Sequence, residues 1–141
     1  MLRVIFDTNL FISSLLVRNG LPAQALEAWR SRRFILVTSP AIMAEVEAAL
    51  NYPRIRRKYH LGEEEIIGLF ELLGTDALVV PGTADVTGGV PDDPDDEIVL
   101  AGAIDGEVDL IISGDRHLLS LKTFRDIPII TIRELLERLA G

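Results

Sequence analysis

Arg3-Val4-Ile5-Phe6-Asp7-Thr8-Asn9 runs from a short apolar stretch straight into a polar break. A run this short, rich in β-branched residues and without polar alternation, is what a strand buried on both faces requires. Strands of that kind belong to parallel sheets covered by helices. Phe34 to Val37, Ala77 to Val80, Leu110 to Ile112 and Pro128 to Ile130 repeat the pattern downstream. Between them lie segments of helical period: Leu21 to Arg30, Pro40 to Leu50, Glu63 to Leu73, Asp96 to Ile104 and Thr131 to Leu139. Ser39 and Pro40 suit the cap and first position of the second helix. The expected architecture is a three-layer α/β/α sandwich around a central parallel sheet of four to five strands. Pro81 to Pro94, with Gly82, Gly88, Gly89 and Pro91, reads as a long loop that ends in acid.

With 141 residues, 48% of them hydrophobic and 26% charged, the chain has the length and composition of one folded domain, taken as residues 1–141. No apolar run approaches the roughly 20 residues of a membrane helix, and Met1-Leu2-Arg3 leads into the first strand without a signal-peptide pattern. A cytoplasmic protein with no membrane attachment is expected. The absence of cysteine excludes disulfides, zinc–thiolate sites and cysteine nucleophiles, leaving oxygen or imidazole as metal ligands. A net charge of −8 argues against binding nucleic acid by bulk charge, so such a partner needs a local device.

In an open parallel sheet functional groups gather outside the carboxyl ends of the strands. Asp7-Thr8-Asn9 follows the first strand and Ser113-Gly114-Asp115 the fourth. Either acid alone is also what a helix cap would be. Together, on neighbouring strands, they would lie within reach of one cation. Five acids occupy the six positions from Asp92 to Glu97. A helix N-terminus favours one or two of them, whereas five repel one another unless solvated or neutralised by a bound cation. Glu45 borders the apolar stripe of Ile42, Val46 and Ala49, while Glu47 points further round; on periodicity alone Glu45 reads more readily as a surface acid than as a site residue.

Arg54, Arg56, Arg57 and Lys58 form one basic run, with His60 close by, and Arg30, Arg32 and Arg33 another. Each is a candidate for phosphate contact and also an ordinary solvated face. Tyr52 and Tyr59 suit the core as readily as a stacking platform. His60 and His117 lack metal-ligand spacing, and the first strand is followed by no glycine-rich phosphate loop.

Asp7-Thr8-Asn9 after the first strand, Glu45 in the helix opened by Ser39-Pro40, Asp95-Asp96 opening a late helix, and Ser113-Gly114-Asp115 jointly resemble the PIN-domain family. The start Val4 to Asn9, the string Asp92 to Asp96 and Ile111 to Asp115 look like its prokaryotic branch of VapC-like toxins from toxin–antitoxin pairs. The resemblance spans almost the whole chain and implies a metal-dependent ribonuclease with Asp7, Glu45, Asp96 and Asp115 as its acidic tetrad. Asp93 and Asp95 are possible substitutes for Asp96 or partners to it. Mg2+ or Mn2+ would be the ion, since hard cations with oxygen ligands relieve carboxylate repulsion. Such an ion would activate water and stabilise the leaving oxygen of an RNA phosphodiester, leaving a 5′-phosphate and a 3′-hydroxyl. Thr8, Asn9 and Ser113 would hold the carboxylates or the water in place, or simply cap their turns. Arg54, Arg56, Arg57 and Lys58 would contact RNA. The resemblance also implies a small antitoxin protein as partner, and a homodimer is common among similar proteins.

Two competing readings remain. One is a PIN-like module that binds RNA or protein with faded catalysis, against which the intact acid set stands. The other is a phosphoryl-transfer or receiver-type domain. The haloacid-dehalogenase pattern needs a second Asp where this chain has Asn9, and a receiver needs Lys where it has Thr131.

Overall fold

The structure is a computed structural model describing residues 1–86 and 94–141. Its strands are β1 (Arg3–Phe6), β2 (Ile35–Thr38), β3 (Leu78–Val79), β4 (Leu110–Ile112), β5 (Thr123–Phe124) and β6 (Ile127–Ile130). Its helices are α1 (Thr8–Leu16), α2 (Leu21–Arg30), α3 (Pro40–Leu50), α4 (Pro53–Tyr59), α5 (Glu63–Asp76), α6 (Pro94–Asp105), α7 (Arg116–Leu121) and α8 (Ile132–Ala140). The strands form one sheet in the order β3-β2-β1-β4-β6-β5. Five are parallel, as expected, and the two-residue β5 adds an antiparallel edge against β6. The expected four to five strands therefore become six: Thr123-Phe124 is too short to show a period, and only its hairpin with β6 makes it a strand.

Val4, Ile5 and Phe6 are all buried. Successive strand side chains point to opposite faces, so burial of all three means that helices cover both sides of the sheet. On one face Phe6 packs against Phe11 of α1 and against Phe34, with ring centroids 5.6 and 5.9 Å apart. On the other, α6 comes very close. A Cβ on Gly102 would lie 2.8 Å from the Ile5 side chain, and one on Gly106 would lie 2.5 Å from that of Val37. Gly102 within α6 and Gly106 just past its end, bonded to each other through the Gly106 amide and the Gly102 carbonyl at 2.9 Å, let the backbone settle directly on β1 and β2.

Helices α2 and α3 fall on the expected residues, and α5, α6 and α8 within a few positions of theirs. Three helices were not expected. Helix α1 has the sequence TNLFISSLL, whose serines and β-branched residues are weak helix formers. It is nucleated instead by Asp7, which caps it, and by the burial of Leu10, Phe11 and Ser14. Helices α4 and α7 are short, and α4 buries no residue fully, so neither has a continuous apolar stripe to read.

Of the expected loop, residues 81–86 are irregular as read. Gly82 has φ +68° and sits where a Cβ would strike Ser39 at 2.8 Å, so both its conformation and its surroundings favour glycine. Gly88, Gly89, Pro91 and Asp93 lie outside the described residues, as does the side chain of Asp95. No helix among the described residues is long and apolar enough to cross a membrane.

Candidate active site

Strand order decides where the site forms. From β1 the chain runs outward through β2 to β3, then returns to lay β4 on the other side of β1. The crevice outside the carboxyl ends of β1 and β4 is thus the topological switch point. Phe6 pairs with Ile112, so the next residues along, Asp7 and Ser113, stand level. The Asp7 amide completes the ladder by donating to the Ile112 carbonyl at 3.0 Å.

Asp7 is only 5% exposed and is held from three sides. The Ser113 hydroxyl donates to its Oδ2 at 2.5 Å, and the Leu10 amide, at the start of α1, donates to Oδ1 at 3.1 Å. The Gly114 amide donates to the carboxylate as well. Ser113, 1% exposed, in turn accepts from the Asp115 amide at 2.9 Å, tying the two acidic turns together through one hydroxyl. Asp115 caps α7, accepting from the His117 amide at 3.0 Å. Burial pushes the Asp7 carboxyl above the ordinary carboxylate range, and the nearby charge of Asp115 pushes the same way. The bonds from Ser113, Leu10 and Gly114 offset part of that rise.

Glu45 comes in from α3. It is half-buried, unlike the exposed Glu47, and its Oε2 accepts from the Thr8 hydroxyl at 2.9 Å. The residue after Asp7 thereby orients an acid 37 positions downstream. Asp96 arrives in the first turn of α6 and is 5% exposed. The close seating of Gly102 and Gly106 on the sheet fixes that helix, and with it Asp96.

Asp7, Glu45, Asp96 and Asp115 all line one cavity of about 560 Å3, together with Thr8 and Asn9. Among the described residues no three acids or histidines close into a ready-made cation cage. The remaining wall is apolar: Ile12, Ala48, Ala49, Tyr52, Ile55 and Val99. Sequence reasoning missed this wall. Ile12 lies on the unread α1 and Ile55 on the unread α4. The signal for Tyr52 was its place just before Pro53, at a helix start.

The basic residues separate in space. Arg54, Arg57 and Lys58 are exposed on α4, beside the cavity residues Tyr52 and Ile55. Half-buried Arg56 turns instead to Asn51 Oδ1 at 3.4 Å and to Glu63 at 3.9 Å. Of the second run, Arg33 donates to the Leu139 carbonyl of α8 and Arg30 pairs with Glu27 at 3.8 Å, and no member lines the acidic cavity. Tyr52 and Tyr59 are 57% and 38% exposed, which removes them from the core. His60 caps α4 in a left-handed conformation. Thr131, where a receiver would carry lysine, is the N-cap of α8 in a capping box with Glu134.

The family model for the PIN domain matches residues 3–117, which include all four acids of the cavity. The chain belongs to the PIN-domain family. It is 29% identical over 121 residues to the uncharacterized protein MJ1680 of Methanocaldococcus jannaschii, covering 86% of this chain and 76% of that one. Its fold is similar to that of a chain in the crystal structure of VapBC2 from Rickettsia felis bound to a DNA fragment from their promoter. That match has a TM-score of 0.63 and 11% identity, covering 92% of this PIN domain and 98% of the other chain. At that identity the likeness concerns the fold.

Proposed function

We propose that this PIN domain is a divalent-cation-dependent ribonuclease and the toxin of a toxin–antitoxin pair. The carrying observation is that acids from four separate elements line one cavity at the switch point of the sheet. The donors are all carboxylate oxygens, which suits Mg2+ or Mn2+. Asp7 adds a physical reason for a cation: burial disfavours its charge, and an adjacent positive ion would restore it. A bound divalent ion would supply water activation and charge stabilisation at the scissile phosphate.

The protein's own groups have distinct tasks. Asp7, Asp96, Asp115 and Glu45 would hold the cation, with Asp93 and Asp95 close in sequence as possible further ligands. Ser113 fixes the Asp7 carboxylate and the Asp115 turn, Thr8 orients Glu45, and Asn9 stands exposed at the rim to meet substrate or water. The apolar wall of Ile12, Ile55 and Val99 limits water around the reacting phosphate. The toxin assignment draws on the family and on the fold shared with a chain of an antitoxin complex. It brings with it a small antitoxin protein, a cytoplasmic setting and a homodimer as expectations.

The test is cleavage of single-stranded RNA with and without manganese. Cleavage is expected only with the ion, and should be lost in Asp7→Asn and Asp96→Asn. Undiminished cleavage by both variants would remove the mechanism.

A further inference from the structure

We propose that the groove between α3 and α5 is the homodimer interface of this protein, filled by α4 of a second copy across a two-fold axis. Such an interface gives the homodimer expected above its surface and is independent of the chemistry in the acidic cavity.

The groove is apolar on its floor and acidic at its rim. Ile66, Ile67 and Phe70 of α5 line a cavity of about 500 Å3, with Glu47 of α3, its cap Asn51, and Glu63 and Glu71 of α5 around them. Among the described residues no cation lines it. Ile67 is 52% exposed and shares the groove with half-buried Phe70, so apolar surface is open here as a patch and not as one isolated side chain. Among the described residues Glu47 and Glu71 make no ion pair, and Glu63 meets only Arg56, at 3.9 Å.

The complementary surface lies on the same chain. Arg54, Arg57 and Lys58 are three and four apart on α4, so they share one face, and all are exposed and, among the described residues, without an ion pair. At about 100° per residue that face lies roughly opposite Ile55, which lines the acidic cavity, so these cations point away from the proposed site of chemistry. The seven residues of α4 make about 10 Å of helix, and α5 from Glu63 to Glu71 is about 12 Å long, so helix and groove match in length. Asn51 and Glu63 flank α4 in the chain and both line the groove, so the two surfaces adjoin. A two-fold axis beside that junction would lay each α4 on the partner's groove, burying Ile67 and setting the α4 cations against the groove's acids in both directions. A cationic helix and an acidic groove on one chain make a surface that matches itself, and this selects a second copy over a foreign helix as the occupant.

Sedimentation and light scattering of the full chain, at micromolar to submillimolar concentration and with EDTA, measure its mass. The wild type should be a dimer that weakens as salt rises, since exposed charges are screened. Arg57→Glu/Lys58→Glu and Glu47→Lys/Glu71→Lys should each raise the dimer dissociation constant about 100-fold or more, because like charges then face each other. All four residues are exposed, so both variants should melt close to the wild type. Mixing the two variants should restore a dimer holding one copy of each, because both contacts then pair opposite charges again. A monomeric wild type, a dimer that neither change weakens, an open series of larger assemblies, or variants that stay monomeric when mixed would each overturn the proposal. A wild-type monomer that binds a lysine-rich helical peptide, with binding lost in Glu47→Lys/Glu71→Lys, would overturn it too and assign the groove to another protein. Cleavage plays no part in these readings, so a dimer that cuts nothing upholds the interface and counts against the ribonuclease reading alone.

Discussion

Asp7→Asn should stabilise the metal-free protein. Asp7 is 5% exposed, and burial is the largest influence on its ionisation, holding its pKa above the unfolded value of 3.8. A carboxyl whose pKa rises on folding binds more protons in the native than in the unfolded state. Stability therefore falls as pH rises from about 4 through the raised native pKa, and is flat above it. One proton is involved, so the slope in that window cannot exceed about 1.4 kcal/mol per pH unit. Asparagine keeps the Leu10 cap, because its carbonyl accepts as the carboxylate does. It loses the charge-assisted bond from Ser113, but that hydroxyl can accept from the new amide. The variant should accordingly lack the acid-side slope and melt higher at neutral pH in chelator, by about 3–4 °C for each kcal/mol gained. Manganese should reverse the order, since a ligand at 100 times its dissociation constant stabilises the wild type by about 2.7 kcal/mol and the variant far less. Thermal melts of both proteins from pH 4 to 8, with EDTA and with manganese, measure this. If Asp7→Asn melts below the wild type in EDTA at neutral pH, then the carboxylate's hydrogen bonds outweigh its burial and the reasoning fails.

Other substitutions probe the supports of the site. Ser113→Ala removes the donor to Asp7 and the acceptor for the Asp115 amide; urea denaturation should show a loss of about 1–3 kcal/mol, with the Asp7 pKa raised further. Thr8→Val frees Glu45 from its hydroxyl partner and should weaken manganese binding about ten-fold in calorimetric titration, with a melting temperature close to wild type. Gly106→Ala would drive a Cβ to 2.5 Å from Val37 and should cost about 1–3 kcal/mol. Val37→Ala in the same chain should recover part of that loss, and strict additivity of the two in a double-mutant cycle would argue against the contact.

The legible parts of the sequence were those where pattern and burial coincide. Val4-Ile5-Phe6 and Leu110-Ile111-Ile112 read as doubly covered strands because they are, and Pro40 marked the start of α3 to the residue. Asp7 and Asp115 were legible as candidates because strand ends in a parallel sheet are few. Their shared hydroxyl was not, because it depends on the pairing of Phe6 with Ile112, which no local signal specifies. Helix α1 was hidden by TNLFISSLL, where tertiary burial and an acid cap override weak propensity. The exposure of Tyr52 was equally invisible, because Tyr in a short helix start is compatible with either environment until the neighbouring surface is known.

The level placement of Asp7 and Ser113 has a bearing on synthesis. The hydroxyl that fixes this first acid is encoded 106 residues later, and β4 cannot dock beside β1 until it has left the ribosome. A half-translated chain would expose Asp7 without its anchor, its neighbouring turn or the Asp115 that shares the cavity. Under the proposed ribonuclease reading, this order of assembly delays any cutting until most of the message has been read.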